Sequence, residues 1–304
     1  MKKILITGAS GFVGNNLLRY CTTHALEPVS VSLRNELPSA LPEGIDAVVH
    51  LAGKAHDLKD VSNPSEYFTV NAGLTKKLFN LFLLSDSSIF IFLSSVKASA
   101  DIVDGELTEE DVPNPVTPYG QSKLEAETFL LSQTLPAGKR LYILRPCMIH
   151  GPGNKGNLNL LYNLVSKGIP YPLAAFENKR SFLSVANLCF VIHQLINRND
   201  ILPGIYNVAD KTPLSTNEVM KIMGEELSGK IRLIKINRSL IKGIARIGDM
   251  IPFPLNTQKL KKLTENYIVN TGKLVNALQA PLPVQSDEGL RVSIRSFAGD
   301  SKAV

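Results

Sequence analysis

Lys3-Ile4-Leu5-Ile6-Thr7-Gly8-Ala9-Ser10-Gly11-Phe12-Val13-Gly14 opens as an apolar run and then sets a glycine at every third position. A short apolar run bounded by glycine reads as a buried strand, and the residues after it read as a tight turn that opens a helix. The three glycines permit a sharp turn and a close backbone approach, so a pyrophosphate can sit over the helix N-terminus. Gly8, Gly11, Phe12, Val13 and Gly14 are therefore candidate cofactor contacts. Only three apolar residues separate the basic start from the turn, which predicts a strand and not a secretory leader.

Outward from this loop, strand-like runs alternate with helix-like ones. Strands are predicted at 3–7, 28–32, 47–52, 89–94, 141–145 and 205–208, with helical periodicity at 14–23, 64–83 and 120–133. Continuously apolar strands spaced by helices imply a parallel sheet covered on both faces, an α/β fold of the doubly wound kind. The rhythm breaks at Gly151-Pro152-Gly153-Asn154-Lys155-Gly156, a loop by its breakers. The expected division is a dinucleotide-binding domain of residues 1–150 plus 178–210, and a smaller substrate-binding lobe of 151–177 plus 211–304.

The chain has 304 residues, enough for a substantial core, and its 44% hydrophobic and 20% charged composition excludes a disordered protein. Cys21, Cys147 and Cys189 lie far apart and form no Cys-x-x-Cys pair, which points to a reducing, cytoplasmic setting without disulfides or zinc. The five histidines show no metal-ligand spacing, so no metal is expected, and packing is the reading for His150. Cys147 has no paired base and is not read as a nucleophile; Glu109-Glu110-Asp111 reads as a solvated acidic loop.

The net charge of +6 is unevenly spread: between Met220 and Lys273 eleven Lys or Arg face four Asp or Glu. No nucleic-acid-binding motif accompanies that charge, so nucleic acid is not expected as a partner. Residues 240–253, with Lys242 and Arg246 among Ile and Met, predict an amphipathic surface helix, and with it a secondary expectation of weak peripheral membrane contact.

The end of the second strand selects the dinucleotide. An acid there accepts hydrogen bonds from the ribose 2′-hydroxyl, whereas an arginine suits a 2′-phosphate. Val31-Ser32-Leu33-Arg34-Asn35 contains no acid, so NADP(H) is expected, with Arg34 and Ser32 at the phosphate and NAD as the alternative.

Tyr119 and Lys123 share a helix face one turn apart. A nearby ammonium favours the phenolate and is expected to lower the tyrosine below its ordinary value, making the phenol a general acid or base. Lys123 can also reach the nicotinamide ribose. Ser94-Ser95 ends the strand at 89–94, at the carboxyl edge of the sheet where ligands of such sheets bind, and the Ser95 hydroxyl can donate to a substrate carbonyl.

With these motifs the chain resembles the extended short-chain dehydrogenase/reductase family, the nucleotide-sugar epimerases, dehydratases and reductases with a Rossmann-like fold. The resemblance is carried by Thr7-Gly8-x-x-Gly11-x-x-Gly14, His50-Leu51-Ala52-Gly53, Asn71, Ser94-Ser95, Tyr119-x-x-x-Lys123, Arg145-Pro146, Gly151-Pro152-Gly153 and Arg180-Ser181-Phe182. It implies Ser95, Tyr119 and Lys123 as catalytic residues and Leu51, Ala52 and Gly53 as cofactor lining. It also implies Asn157 and Arg180 at the diphosphate or nucleotide of the substrate, and homodimers built through a four-helix contact.

Departures from the family pattern narrow the chemistry. Family dehydratases carry Asp-Glu directly after the serine, whereas Val96 and Lys97 stand here; a cysteine used in epimerisation beside the carbonyl is likewise absent. The eleven residues between Arg34 and Asp46 leave little room for the usual helix and third strand, and the acid that relatives place near the adenine is missing. Ser94-Ser95-Val96-Lys97-Ala98, Thr117-Pro118-Tyr119-Gly120 and Gly168-Ile169-Pro170-Tyr171-Pro172-Leu173 with Arg180-Ser181 resemble enzymes of bacterial surface-polysaccharide synthesis. The leading expectation is an NADP(H)-dependent reductase of a UDP-linked 4-keto-6-deoxy-N-acetylhexosamine, and the runner-up is an NAD-dependent UDP-hexose or UDP-N-acetylhexosamine 4-epimerase. A non-catalytic dinucleotide sensor is a third reading, opposed by the retention of both Tyr119 and Lys123.

Overall fold

Each of the six predicted apolar runs becomes a strand of one parallel sheet. The computed structural model describes residues 1–34, 38–54, 63–154, 156–227, 229, 231–251 and 255–300. The first half comprises β1 (Lys2–Thr7), α1 (Phe12–Thr23), β2 (Leu26–Val31), β3 (Ala47–His50), α2 (Pro64–Tyr67), a π-helical turn over Phe68–Gly73, and α3 (Leu74–Leu84). It continues with β4 (Ile89–Leu93), a 3₁₀ turn over Val96–Ala98, β5 (Glu106–Leu107), α4 (Pro118–Ser132), β6 (Arg140–Pro146) and β7 (Met148–His150). The second half holds α5 (Asn157–Ser166), β8 (Phe182–Ser184), α6 (Val185–Asn197), β9 (Gly204–Val208), α7 (Thr216–Glu226) and α8 (Arg238–Met250). It ends with α9 (Thr257–Thr264), β10 (Ile268–Val269), α10 (Gly272–Leu278) and α11 (Ser286–Asp300).

The sheet runs β2-β1-β3-β4-β6-β9 with every neighbour parallel. Alternation along the strands sorts the core. Ile4, Val49 and Ile91 meet α1 and α6 on one face, while Leu5, Val48 and Phe90 meet α3 and α4 on the other. Burial on both faces is why these strands read as unbroken apolar runs. A third cluster, including Tyr162, Met220, Ile241 and Phe297, joins α5, α7, α8 and α11.

The shortened connection after β2 has the predicted consequence. The described residues between Val31 and Ala47 form neither helix nor strand, so β2 stays at the sheet edge. Three local expectations need correction. Regular pairing of β3 stops at His50, because Gly8 turns away and leaves Leu51 N–H bonded to Thr7 O at 3.2 Å as the last rung. The stretch 64–83 is not one regular helix: the π-helical turn interrupts it at Asn71. Glu109 is not merely solvated, since its carboxylate accepts the Asn207 N–H at 2.7 Å on the edge strand β9. An edge-strand N–H otherwise lacks a partner.

Candidate active site

The glycine loop is shaped by what it must pass. Gly8 has φ of 72°, and a Cβ there would lie 2.6 Å from Ala52 N, so a side chain is excluded by conformation and by space. Leu51 and Ala52 therefore run directly against the loop, Ala52 N–H donating to Thr7 Oγ1 at 3.3 Å. Helix α1 starts after Gly11 with no side-chain cap and no acid in its first turn. Its first N–H groups and the positive end of its dipole thus suit a phosphate anion. In the β1–β2 register Thr7 faces Val31, which sets Ser32 level with Gly8. Arg34 is exposed just beyond, and its side chain has no partner among the described residues. The loop and the uncapped helix end fit the pyrophosphate of a dinucleotide.

The candidate catalytic groups meet at the carboxyl edge of β4. Ser95 Oγ accepts the Lys97 N–H at 3.1 Å and so caps the 3₁₀ turn. Helix α4 begins at Pro118 with Thr117 as its cap. A Cβ on Gly120 would fall 2.3 Å from Lys97 O, so only glycine lets α4 lie against that turn. The approach brings the Tyr119 phenol beside the Ser95 hydroxyl, close enough for Ser95 to favour the ionised phenol. Lys123 Nζ donates to Leu93 O at 2.8 Å and lies 4.8 Å from the centroid of the Phe92 ring. Gly53 closes the group, since a Cβ there would be 3.2 Å from Lys123 Nζ.

Electrostatics correct one expectation. Burial pushes the Tyr119 phenol above its ordinary value, opposed by the Ser95 hydrogen bond and reinforced by Tyr67. The Lys123 ammonium is turned to Leu93 O and does not depress it. Burial lowers Lys123 itself to about 8, against the pull of Glu127. Glu127 is engaged by Arg145, whose Nε and Nη2 reach Glu127 Oε2 at 3.1 and 2.6 Å, and by the Ser94 hydroxyl. The Arg145–Glu127 pair is almost wholly buried.

Sequence reasoning missed this pair, although Glu127 continues the four-residue spacing of Tyr119 and Lys123. It also missed the polar chain behind the loops. His50 Nδ1 meets Thr7 Oγ1 at 2.6 Å and its Nε2 meets Thr75 Oγ1 at 2.9 Å, while Thr75 donates to Asn71 O at 2.6 Å. Burial and the Lys123 charge hold His50 down at about 3, so it stays neutral. Asn71 Nδ2 donates to Ser122 Oγ at 2.9 Å, and its Oδ1 accepts the Lys54 N–H at 2.7 Å. The π-helical turn thereby ties the Gly53 loop to α4.

The family model described as the NAD dependent epimerase/dehydratase family matches residues 4–209. The chain belongs to this family. A UDP-glucose 4-epimerase of Vibrio cholerae is 33% identical over 72% of the chain and 74% of its own length. A GDP-6-deoxy-D-mannose reductase of Pseudomonas aeruginosa is 26% identical over 77% of the chain and 83% of its own length. The structure of RMD from Pseudomonas aeruginosa complexed with NADPH superposes with a TM-score of 0.75 at 19% identity, covering 98% of the chain and all of that structure. Family relatives of this chain are thus nucleotide-sugar epimerases and reductases, and solved neighbours of the fold hold NADPH or NAD.

Within this epimerase/dehydratase family member, the far side of Ser95 is built by late sequence. The Tyr267 hydroxyl donates to Ala100 O at 2.6 Å and approaches Val96 O at 3.3 Å, and Lys97 Nζ lies 4.3 Å from the Tyr267 ring centroid. Arg180 is half-buried, donates to Lys262 O, and its charge reaches Lys97. Asn157 starts α5; its side chain lies outside the described residues. Cys147 is buried and its thiol is pushed up by burial, the state of an inert cysteine. His150 packs in the interior with Nδ1 on Ser293 Oγ at 2.8 Å.

Proposed function

We propose that the chain is an NADP(H)-dependent reductase of a 4-keto-6-deoxy-N-acetylhexosamine carried on UDP. The observation that supports it is the acid-free end of β2, where Ser32 stands level with Gly8 and the exposed Arg34 guanidinium has no partner among the described residues. When bound, the nicotinamide supplies the hydride. The chain's own residues do the rest. Ser95 and Tyr119, side by side at the carboxyl edge of β4, would both reach one carbonyl oxygen. Burial keeps the phenol protonated at neutral pH, and the alkoxide that forms is far more basic than a phenolate, so the proton passes from Tyr119 Oη to that oxygen. The Ser95 hydroxyl, which already opposes the rise of the phenol, then stabilises the phenolate left behind, while Lys123 stands one helical turn away and reaches toward the nicotinamide ribose. Val96 and Lys97 supply no acid–base pair for eliminating water.

In this reading residues 1–150 plus 178–210 hold the dinucleotide, and 151–177 plus 211–304 close over the sugar, with Arg180 and Asn157 toward the diphosphate. Two copies would associate through a four-helix contact, as the family resemblance implies. The three free, buried cysteines suit a reducing cytoplasm. A second reading, NAD-dependent 4-epimerisation of a UDP-hexose, is favoured by the 33% identity to the Vibrio cholerae epimerase. The deciding experiment incubates purified protein with UDP-sugars and UDP-4-keto sugars while following NADPH absorbance and product configuration. Consumption of NADPH with a 4-keto sugar supports reduction. Bound NAD with interconversion of UDP-hexoses and no NADPH consumption would reverse the order.

A further inference from the structure

Helix α8 carries two apolar stripes, and only one is covered. Ile241 and Ala245 enter the C-terminal core and Gly248 packs beside them. Leu240, Ile247 and Met250 follow at steps of seven and three and so share another face. They are 59%, 57% and 85% exposed, and Ile251, which ends the helix, is 52% exposed. Scattered exposed aliphatics are ordinary, but four gathered at one helix mark a contact surface.

The charge around this stripe is one-sided. From Leu227 to Gly248 the sequence contains six Lys or Arg and no Asp or Glu. Lys242 and Arg246 are exposed, and their side chains make no ion pair or hydrogen bond with the described residues. The next acid, Asp249, is engaged as the acceptor of Thr257 N–H at 2.9 Å at the start of α9. The stripe also lies beyond the residues matched by the family model, 4–209.

We propose that this face docks onto an anionic phospholipid surface. Helix α8 lies along the headgroups, Leu240, Ile247, Met250 and Ile251 enter the acyl boundary, and Lys242 and Arg246 meet the headgroup phosphates. A bilayer satisfies both halves of the face. A second copy of the chain would set the same cations against one another across a symmetric contact. A nucleic acid would satisfy the cations and leave the aliphatic stripe in water. Docking of this kind is separate from the reaction assigned to the active site and would bring that site to a membrane.

The test sediments the full chain with vesicles of phosphatidylcholine, and with vesicles that also contain phosphatidylglycerol, at low and high salt. Binding is expected only with phosphatidylglycerol and is weakened by salt, because exposed charges are screened. Lys242→Ala with Arg246→Ala should weaken it about 25-fold, each basic residue near an anionic leaflet being worth about fivefold. Ile247→Glu with Met250→Glu should abolish it while thermal unfolding and dinucleotide binding stay unchanged, which separates lost docking from lost fold. The proposal fails if the chain stays in solution at low salt, binds uncharged vesicles equally, or keeps binding in the Ile247→Glu, Met250→Glu variant. It fails too if that variant merely turns a dimer into a monomer in sedimentation velocity and the parent ignores vesicles.

Discussion

At the residue scale, the decisive pair is a phenol held above its ordinary value and an ammonium held below its own, at about 8. Burial moves both in the direction that favours the neutral form. Tyr119→Phe is therefore expected to lower kcat by about 10²–10⁴-fold, the usual span for a lost proton-transfer group, with dinucleotide affinity retained in a fluorescence titration. Glu127 partly restores the Lys123 charge. Glu127→Gln should move the alkaline limb of the kcat/KM profile to lower pH, a shift that a purely structural residue would not produce. It should also cost about 3–5 kcal/mol of stability, because Arg145 is left charged and unpaired in the interior. The Lys123 value carries a stability consequence. Its folded value of about 8 lies below the ordinary 10.5, so between these pH values the unfolded chain binds more protons and stability rises with pH. The cost of the buried ammonium is present in full below about 8. Lys123→Met should accordingly be more stable than the parent in neutral urea unfolding, with the advantage fading as pH rises.

At the element scale, the site depends on how closely α4 can lie against the turn that follows β4. Gly120 sets that distance, with Lys97 O where its Cβ would be. Gly120→Ala should push the helix outward, part Tyr119 from Ser95, and reduce kcat about 100-fold, as roughly 1 Å of misplacement can. Dinucleotide affinity, set mainly by the α1 loop on the other side of β3, should change little. The six strands, and the helices beginning near residues 12, 64 and 118, were legible because parallel-sheet strands are apolar throughout and breakers punctuate them. The π-helical turn at Phe68–Gly73 was not, because nothing in FTVNAG distinguishes it from regular helix. Its cause is tertiary: Asn71 is pulled toward Lys54 and Ser122 at once.

At the scale of the whole molecule, C-terminal residues reach the loop beside the candidate site from a great sequence distance. Tyr267 reaches the backbone of Val96 and Ala100, more than 160 residues away, and fixes the loop after Ser95. Tyr267→Phe should raise the substrate KM while leaving dinucleotide affinity unchanged, and should cost about 1–2 kcal/mol in thermal unfolding from the lost hydrogen bonds.

What the sequence by itself determined is the alternation of buried strands with helices, the glycine turn after β1, and the spacing that sets Tyr119 and Lys123 on one helix face. These are local properties, written in periodicity and in residues with special backbone freedom. Only the tertiary structure decided the state of those groups. The expectation that Lys123 depresses Tyr119 followed from spacing alone, and it failed because burial and the Leu93 carbonyl act on the pair from outside the helix. Partners brought together by folding, among them Glu127 with Arg145 and Tyr267 with Ala100, set charge and position in a way that spacing along the chain does not encode.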